Sequence, residues 1–409
     1  MESNIQNLYL KNIKEIDLKS LRSSMVVDLN QVILIVSLLL FSSNASWIAK
    51  SDVALSFVAM YSVVINLFKN KNHAYILGLV KSTCVIVSLI VIYNYINGKI
   101  DLYSWIGLFI KYILSYSTIN YCNSKFESYF IKIVCTLSVI SMFLYIFQLF
   151  NFKLLYNLND FFGMPSNRGL NPNSNSLIFN MIDIHSIRNC GFMWEPGAFA
   201  AVLIIALLIS FKYNSKFDRQ KAILILAVIS TYSSMGYISL LIVVVYFSYE
   251  KLKYFSVLLV VPLSLIFYNF NILSEKIGNQ INDIDAELLN TQYSDDYVIH
   301  LNRFASFYAD YDTFMNNPYM GLGIDIYTAG EKEYYKEYDE NVVRTSGLMS
   351  LLVKIGSLGF IIFMFQMFLR VKERYRDNKF ALLFMFVLIV ILFSNPIELS
   401  PVVLMFLSL

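Results

Sequence analysis

Arg188-Asn-Cys-Gly-Phe-Met-Trp-Glu-Pro-Gly-Ala-Phe-Ala-Ala-Val-Leu-Ile-Ile-Ala-Leu-Leu-Ile-Ser-Phe-Lys-Tyr213 opens as a polar segment and turns, at Pro196, into an apolar run. Proline is favoured at the first position of a helix, and an acidic residue before it suits the N-cap. A helix starting at Glu195-Pro196 is therefore expected, and residues 197–213 are long enough to cross the ~30 Å hydrocarbon layer. The same kind of apolar run recurs along the chain. Spans are expected at 32–50, 53–68, 74–96, 102–121 and 130–150 before this one. Those at 222–233, 237–249, 254–270, 345–369, 380–393 and 396–409 follow it. The fold class this implies is an all-α polytopic membrane protein with about 12 transmembrane helices, a span needing roughly 20 residues.

Composition agrees. Of 409 residues 57% are hydrophobic and 15% charged, where soluble chains carry about a quarter charged residues. Mean hydropathy is +0.57. These values exclude a water-soluble globular protein, a disordered chain and a nucleic-acid binder, and a net charge of +3 implies no polyanionic partner. Cys84, Cys122, Cys135 and Cys190 form no close-spaced pair, so neither a disulfide framework nor a zinc site is suggested. Three scattered histidines give no metal site, and no cofactor is expected.

The organisation expected is a five-span membrane region (1–150), a first long loop (151–196), a four-segment membrane region (197–270), a large loop (271–344) and a C-terminal membrane region (345–409). Lys and Arg fix its orientation, because short cytoplasmic loops carry their excess. With the N-terminus inside, the short inside loops hold Lys69, Lys71, Lys125, Lys212, Lys216, Arg219, Lys221, Lys251, Lys253, Arg370, Lys372, Arg374, Arg376 and Lys379. The short outside loops hold Lys50 and Lys99. Both termini are then expected inside and both long loops outside. The same rule splits 222–249 into two short helices at Thr231-Tyr-Ser-Ser-Met-Gly236, since one long helix would move the five-charge loop after Leu369 outside. Broken helices of this kind border binding sites in membrane carriers.

Chemistry is expected on the outer face. Glu195, at an apolar helix mouth, reads as an N-cap or as a partly desolvated base toward a hydroxyl, and the two are compatible. Trp194 beside it suits an interfacial anchor or a stacking surface for a sugar ring. In the large loop, Ser294 to Tyr311 is expected to lie in a helix capped by Ser294 and stopped by Asn316-Asn-Pro318. His300 and Arg303 would then share a face, and Phe304, Phe307, Tyr311 and Phe314 would form an apolar side. Arg303 suits an anionic ligand, because its planar fork matches phosphate oxygens; a surface ion pair is the plainer reading. In Asn317-Pro-Tyr319-Met-Gly-Leu-Gly-Ile324 the glycines permit close backbone approach. Arg344 is a cation at the mouth of the tenth span, and Arg168 lies in the Gly/Asn/Ser-rich stretch 164–176. Glu398 falls in the break between the last two spans, where an intramembrane acid is a functional candidate; a surface position in the outer leaflet is the alternative.

Taken in order, these motifs resemble one family. Arg188 before Gly-Phe-Met-Trp-Glu-Pro-Gly197 is similar to the Arg…Gly…Glu-Pro-Gly pattern of bacterial Wzy-type polysaccharide polymerases. Arg303, the Asn-Pro-Tyr-Met-Gly-Leu-Gly turn and Arg344-Thr-Ser-Gly-Leu-Met-Ser-Leu-Leu-Val-Lys-Ile-Gly-Ser-Leu-Gly359 resemble the region shared by O-antigen polymerases and ligases. The resemblance covers 188–369. It implies a GT-C-like glycosyltransferase at the outer face of the bacterial cytoplasmic membrane. Undecaprenyl-diphosphate-linked oligosaccharide would be donor and acceptor, with attack direct and inverting and no metal. Membrane lipid would surround the chain, and a chain-length regulator protein is an implied partner. Arg188, Arg303 and Arg344 would hold diphosphate, while Trp194, His300, Tyr319, Arg168 and Glu398 would line the substrate path. The ligase branch has a histidine near the start of the span after the Gly-x-Gly turn, where Arg344-Thr-Ser346 stands here. That departure favours polymerase over ligase and leaves the base unassigned by family; Glu195 is the choice. An oligosaccharide-lipid flippase is the rival class, but it would not need the 74-residue loop 271–344.

Overall fold

The computed structural model describes residues 28–69, 75–81, 83, 102–161, 173–182, 186–214, 216–252, 299–300, 303–323, 342–343 and 346–409. Among them the chain is mostly helical. The runs Asp52–Lys69, Trp105–Phe150, Pro196–Tyr213 and Gly347–Tyr375 are long and apolar enough to cross a membrane, and Leu29–Ser43, Ser234–Tyr249 and Asn378–Ser394 are shorter apolar helices. Most of the expected third span, all of the ninth and most of the large loop lie outside the described residues, as do Arg168, Arg344 and the side chains of His300 and Arg303.

Helix α1 is Leu29–Ser43, capped by the Asp28 carboxylate on the amide of Asn30. It stops short of the expected residue 50 because Asn44 turns left-handed (φ 47°); a separate four-residue turn, Trp47–Lys50, leads into α2, Asp52–Lys69. Helices α3 (Leu102–Cys122) and α4 (Phe126–Phe150) are joined by the 3-10 turn Asn123–Lys125, where Asn123 has φ 46°. The short α5, Phe152–Phe161, follows. Helix α6, Pro196–Tyr213, is the centre of the bundle. It is buried from Pro196 to Ser210 on all sides, as a helix apolar all round must be. It is packed by α4, by α7 (Arg219–Ser230), by α8 (Ser234–Leu252) and by α11 (Asn378–Ser394).

Lipid is as apolar as leucine, so burial alone does not drive such helices together; close packing of small residues does. A Cβ on Gly236 of α8 would stand 2.8 Å from that of Ala200 on α6. Outward, Val53, Phe57 and Met60 of α2, Phe143 and Phe147 of α4, Ile361 and Phe365 of α10 (Gly347–Tyr375) and Leu382 and Phe386 of α11 are exposed. An apolar surface this extensive is what a lipid-facing wall requires.

The bundle has two dissimilar ends. At one, here the basic end, Lys212 meets Asp377 at 2.6 Å, Arg374 meets Glu127 at 2.7 Å, and Lys221 meets Asp218 at 3.0 Å. At the other, the loop end, lie the last residues of α1, α4, α7 and α11 and the first of α6, α8 and α10. Hydrogen bonds from Trp194 to Ser43 and from Asn189 to Ser230, and the approach of Gly347 to Asn395, bring these together.

Several expectations change. The break inside 222–249 is present, at Thr231–Ser233 with Tyr232 at φ 48°, but α8 runs 19 residues and is not a short half-helix. The expected span 345–369 is longer, to Tyr375, and is itself broken at Gly356 (φ 67°, ψ 176°). Residues 396–409 form no span. After Asn395 the chain makes the four-residue α12, Pro401–Leu404, and a 3-10 turn, Met405–Leu407. Phe406 stacks on Phe384 of α11 at 4.4 Å between ring centroids. Ten residues of α11, about 15 Å of helix axis, separate that level from Ser394, so the final segment dips into the bundle from the loop end without crossing. The expected span over 396–409 is therefore not what forms; Pro396 and Pro401 deny the backbone a continuous helix.

Among the described residues, two short strand pairs accompany the helices without changing the all-α class. β1 (Asn173–Ser176) pairs antiparallel with β2 (Phe179–Ile182), whose Phe179 and Met181 pack on Tyr145 of α4. β3 (Ile299–His300) pairs parallel with β4 (Val342–Val343), closing the intervening chain into a loop. The expected helix over 294–311 instead starts at Arg303 as α9, Arg303–Asn316. His300 is thus in a strand and does not share a helical face with Arg303. β-branched Ile299, Val342 and Val343 favour the extended pairing.

Candidate functional site

The segment from Ser186 to Glu195 is bound on every side by the bundle. Tyr145 Oη donates to the carbonyl of Ile187 at 2.9 Å, and Gln148 Nε2 to those of Ser186 (2.6 Å) and Arg188 (3.2 Å). Asn189 is the hub. Its Oδ1 accepts from Ser141 Oγ at 2.7 Å and from the Gly191 amide at 2.9 Å, and its Nδ2 donates to Ser230 Oγ at 2.9 Å. Asn180 of β2 donates from its amide to Gly191 and from Nδ2 to the carbonyls of Met193 and Trp194. Gly191 sits at φ 53° with the Phe199 ring where a Cβ would be, so only glycine fits. These bonds immobilise a non-helical stretch inside the helical packing, where every buried amide must find a partner.

Two sequence features converge here. Arg188 Nε donates at 3.2 Å to the carbonyl of Thr231, one of the groups released where α7 ends. The arginine and the helix break, separate in the sequence, thus form one structure. Cys190, fully buried, lies within electrostatic range of both Arg188 and Glu195.

Glu195 has the extended backbone of an N-cap (φ −150°, ψ 159°), and its carbonyl accepts from Phe199 at 3.1 Å. Its carboxylate makes no capping bond. Oε1 is buried and has no hydrogen-bond partner among the described residues. The cap reading of the side chain is therefore corrected: the helix starts without it, and the carboxylate is left able to accept a proton or a hydroxyl. Trp194 is 7% exposed and packed in the core. Its ring is neither an interfacial anchor nor an open stacking face.

A second assembly surrounds the break in α10. Amides of Leu322 and Gly323 donate to the carbonyls of Val353 (2.8 Å) and Lys354 (3.0 Å), while amides of Ser357 and Leu358 donate to those of Pro318 (2.8 Å) and Tyr319 (3.2 Å). The turn after α9 thus supplies the bonds that the broken helix lacks. A Cβ on Gly356 would strike Tyr319 and Met320, and one on Gly321 (φ 75°) would strike Gly356 and Lys354. The glycines are there for backbone contact with α10. Tyr319 itself is 68% exposed. The buried side of α9 is Ala305, Ser306, Ala309, Asp310 and Thr313, not the expected aromatic face, although Phe304 and Phe307 do reach Phe393 of α11.

Glu398 is 2% exposed, which corrects the surface alternative. Its Oε1 accepts from Lys354 Nζ at 2.9 Å and Ser350 Oγ at 3.1 Å, and Oε2 is buried with no partner among the described residues. Lys354 and Lys111, which lies within electrostatic range of this pair, were not singled out from the sequence. The available signal was a lone lysine in each of two apolar runs. Asp310, fully buried on α9, was likewise passed over among the acids of its loop.

Glu195, Trp194 and Arg188 therefore stand together, Tyr319 belongs to the α10 break, and Glu398 joins Lys354. Comparison with known protein families, curated proteins and solved structures finds no match for this chain.

Proposed function

We propose that the chain is a glycan polymerase of the outer face of the bacterial cytoplasmic membrane. In this reading the basic end faces the cytoplasm, by the excess of Lys and Arg in its loops, and the loop end faces outward. A growing oligosaccharide passes from undecaprenyl diphosphate to the next lipid-linked unit. The acceptor hydroxyl attacks the anomeric carbon of the donor as the bond to the phosphate oxygen breaks. Glu195 accepts the hydroxyl proton, and undecaprenyl diphosphate leaves with its charge held by arginines, of which Arg188, Arg303 and Arg344 are the candidates.

The observation that carries this reading is Glu195 Oε1: a buried carboxylate oxygen without a partner among the described residues, on a rigidly held segment at the mouth of the central helix. Burying such an atom costs free energy, and the carboxylate makes no capping bond to α6 in return. The test is surface glycan from cells carrying Glu195→Gln. Single repeat units without long chains are expected at unchanged protein level; long chains would refute the assignment.

The charges buried near Lys354 and Glu398 favour one rival, an oligosaccharide-lipid carrier. Deletion of the gene separates the two. Loss of a polymerase leaves single repeat units on the surface lipid, and loss of a carrier leaves none.

A further inference from the structure

Lys111 lies nine residues after the first residue of α3, Leu102, and eleven before the last, Cys122. At 1.5 Å per residue that is about 14 and 16 Å from the two ends. A lysine near the end of a span sends its ammonium along the stem to the headgroups; from the middle of α3 the stem does not reach. A cation at that depth needs its partner inside the protein or from a ligand. The charges within its range are Asp52, Lys354 and Glu398. Lys354 and Ser350 both bond Glu398 Oε1. The Lys111 ammonium makes no ion pair or hydrogen bond with a described residue, and Glu398 Oε2 is buried without a donor among the described residues. A cation hydrogen-bonded to no described anion and an acceptor with no described donor thus lie within electrostatic range of each other, where Ser115, one turn after Lys111, donates to the carbonyl of Pro401 at 2.9 Å. The backbone beside them is non-helical twice over, at Gly356 and between Asn395 and Ser400. At membrane depth that is tolerated where protein or a water-filled cavity covers it.

We propose that this cluster is a second substrate site, which takes the phosphate of a glycosyl-phosphate lipid on Lys111 and a sugar hydroxyl on Glu398 Oε2. The two groups ask for a ligand that carries a negative oxygen and a hydroxyl donor close together, and a sugar linked to phosphate carries both. The site rests on the polymerase reading above, in which two lipid-linked units must be held at once. Its position suits that need. Val402, four residues after Glu398, donates to Ser42 Oγ at 2.9 Å, and Trp194, beside Glu195, donates to the Ser43 carbonyl at 3.1 Å. The segments bearing Glu195 and Glu398 are therefore fastened to consecutive residues at the end of α1.

The test is native mass spectrometry of the purified full chain with a synthetic polyprenyl diphosphate bearing one sugar, and with phosphatidylglycerol. Wild type and Glu195→Gln should each bind two molecules of the sugar lipid. Lys111→Met, which keeps the stem in its apolar helix, should lose one, with affinity at that site falling about ten- to hundredfold, the worth of a charge-assisted bond. Lys111→Arg should retain both. Unchanged binding by Lys111→Met would overturn the proposal and leave a bridging water as the partner of both groups. Phosphatidylglycerol filling the Lys111-dependent site as tightly as the sugar lipid would overturn it too, in favour of an ordinary headgroup. Failure of the polymerase reading is separately visible, as long glycan chains made by Glu195→Gln.

Discussion

The two ends of the bundle are built on opposite principles. At the basic end the charges are closed on one another: Lys212 with Asp377, Arg374 with Glu127, Lys221 with Asp218. Helices there start on carboxylates that do cap, Asp28, Asp218 and Asp377. At the loop end helices break, chain segments are inserted between them, and the carboxylates of Glu195 and Glu398 each keep a buried oxygen without a described partner. The basic end pairs its described charges with one another and leaves only neutral atoms, such as Gln31 Oε1 and Tyr375 Oη, buried without a described partner; at the loop end the unanswered atoms include two carboxylate oxygens. Buried, partly satisfied charged groups cost more stability than neutral ones, which is why the proposed chemistry is placed on these two carboxylates.

The largest effect that tests this contrast is at Glu195. Glu195→Gln should lower polymer formation by about 10²–10⁴-fold, the usual worth of a general base. Because the carboxylate makes no capping bond, Glu195→Ala should melt within about 0.5 kcal/mol of Glu195→Gln, less than the usual loss for removing a cap. A much larger stability loss for Ala alone would restore the capping role.

Next come the glycines of the α10 break. Gly356→Ala and Gly321→Ala each force a left-handed residue and a collision with backbone, for which about 1–3 kcal/mol is the strain alone. Thermal unfolding in detergent should show that loss, with activity falling in parallel because the turn and α9 lose their seat. At the basic end, Arg374→Met leaves Glu127 buried without its partner and should cost about 2–3 kcal/mol, below the full value for a buried pair because Arg374 is partly exposed. Polymer length in the surviving protein should be unaffected. An activity loss exceeding the loss of folded protein would break the division between the ends.

The smallest effect is a pH dependence. The hydrogen bond from Lys212 holds the Asp377 carboxyl below its ordinary range, against a smaller opposing effect of burial. A carboxyl whose folded pKa is depressed contributes stability above its unfolded value, near 3.9, and loses it as pH falls through the folded value. Asp377→Asn, which can still cap α11, should remove that acid-side slope, by less than about 1 kcal/mol for a pair this exposed. An identical acid denaturation profile would place the linkage elsewhere.

Much of this architecture was legible in order of residues. The Glu195-Pro196 start, the interruption near Thr231 and the stop at Asn316 are local events, set by proline geometry, helix-breaking polar clusters and hydropathy. The break at Gly356 was not legible: Gly356 lies in an apolar run, and its departure from helix depends on the distant turn around Gly321. The same limit applies to Glu398. Whether it met lipid headgroups or Lys354 depended on the path of the chain after Asn395, where the expected span 396–409 became a dipping segment. His300 was misplaced because its extended pairing is with Val343, across the large loop.

By itself, then, the sequence determined an apolar helical bundle with its basic loops gathered apart from two long polar ones, because hydropathy and charge act on each segment separately. The tertiary structure decided which polar atoms are answered and which are not. That Asn189 bonds Ser141 and Ser230, that Arg188 meets the carbonyl of Thr231, and that Glu195 and Glu398 each keep an oxygen without a described partner are facts about neighbours far away in the chain. Hydrogen bonding is short-ranged and directional, so no spacing along one strand of sequence fixes it until the helices have packed.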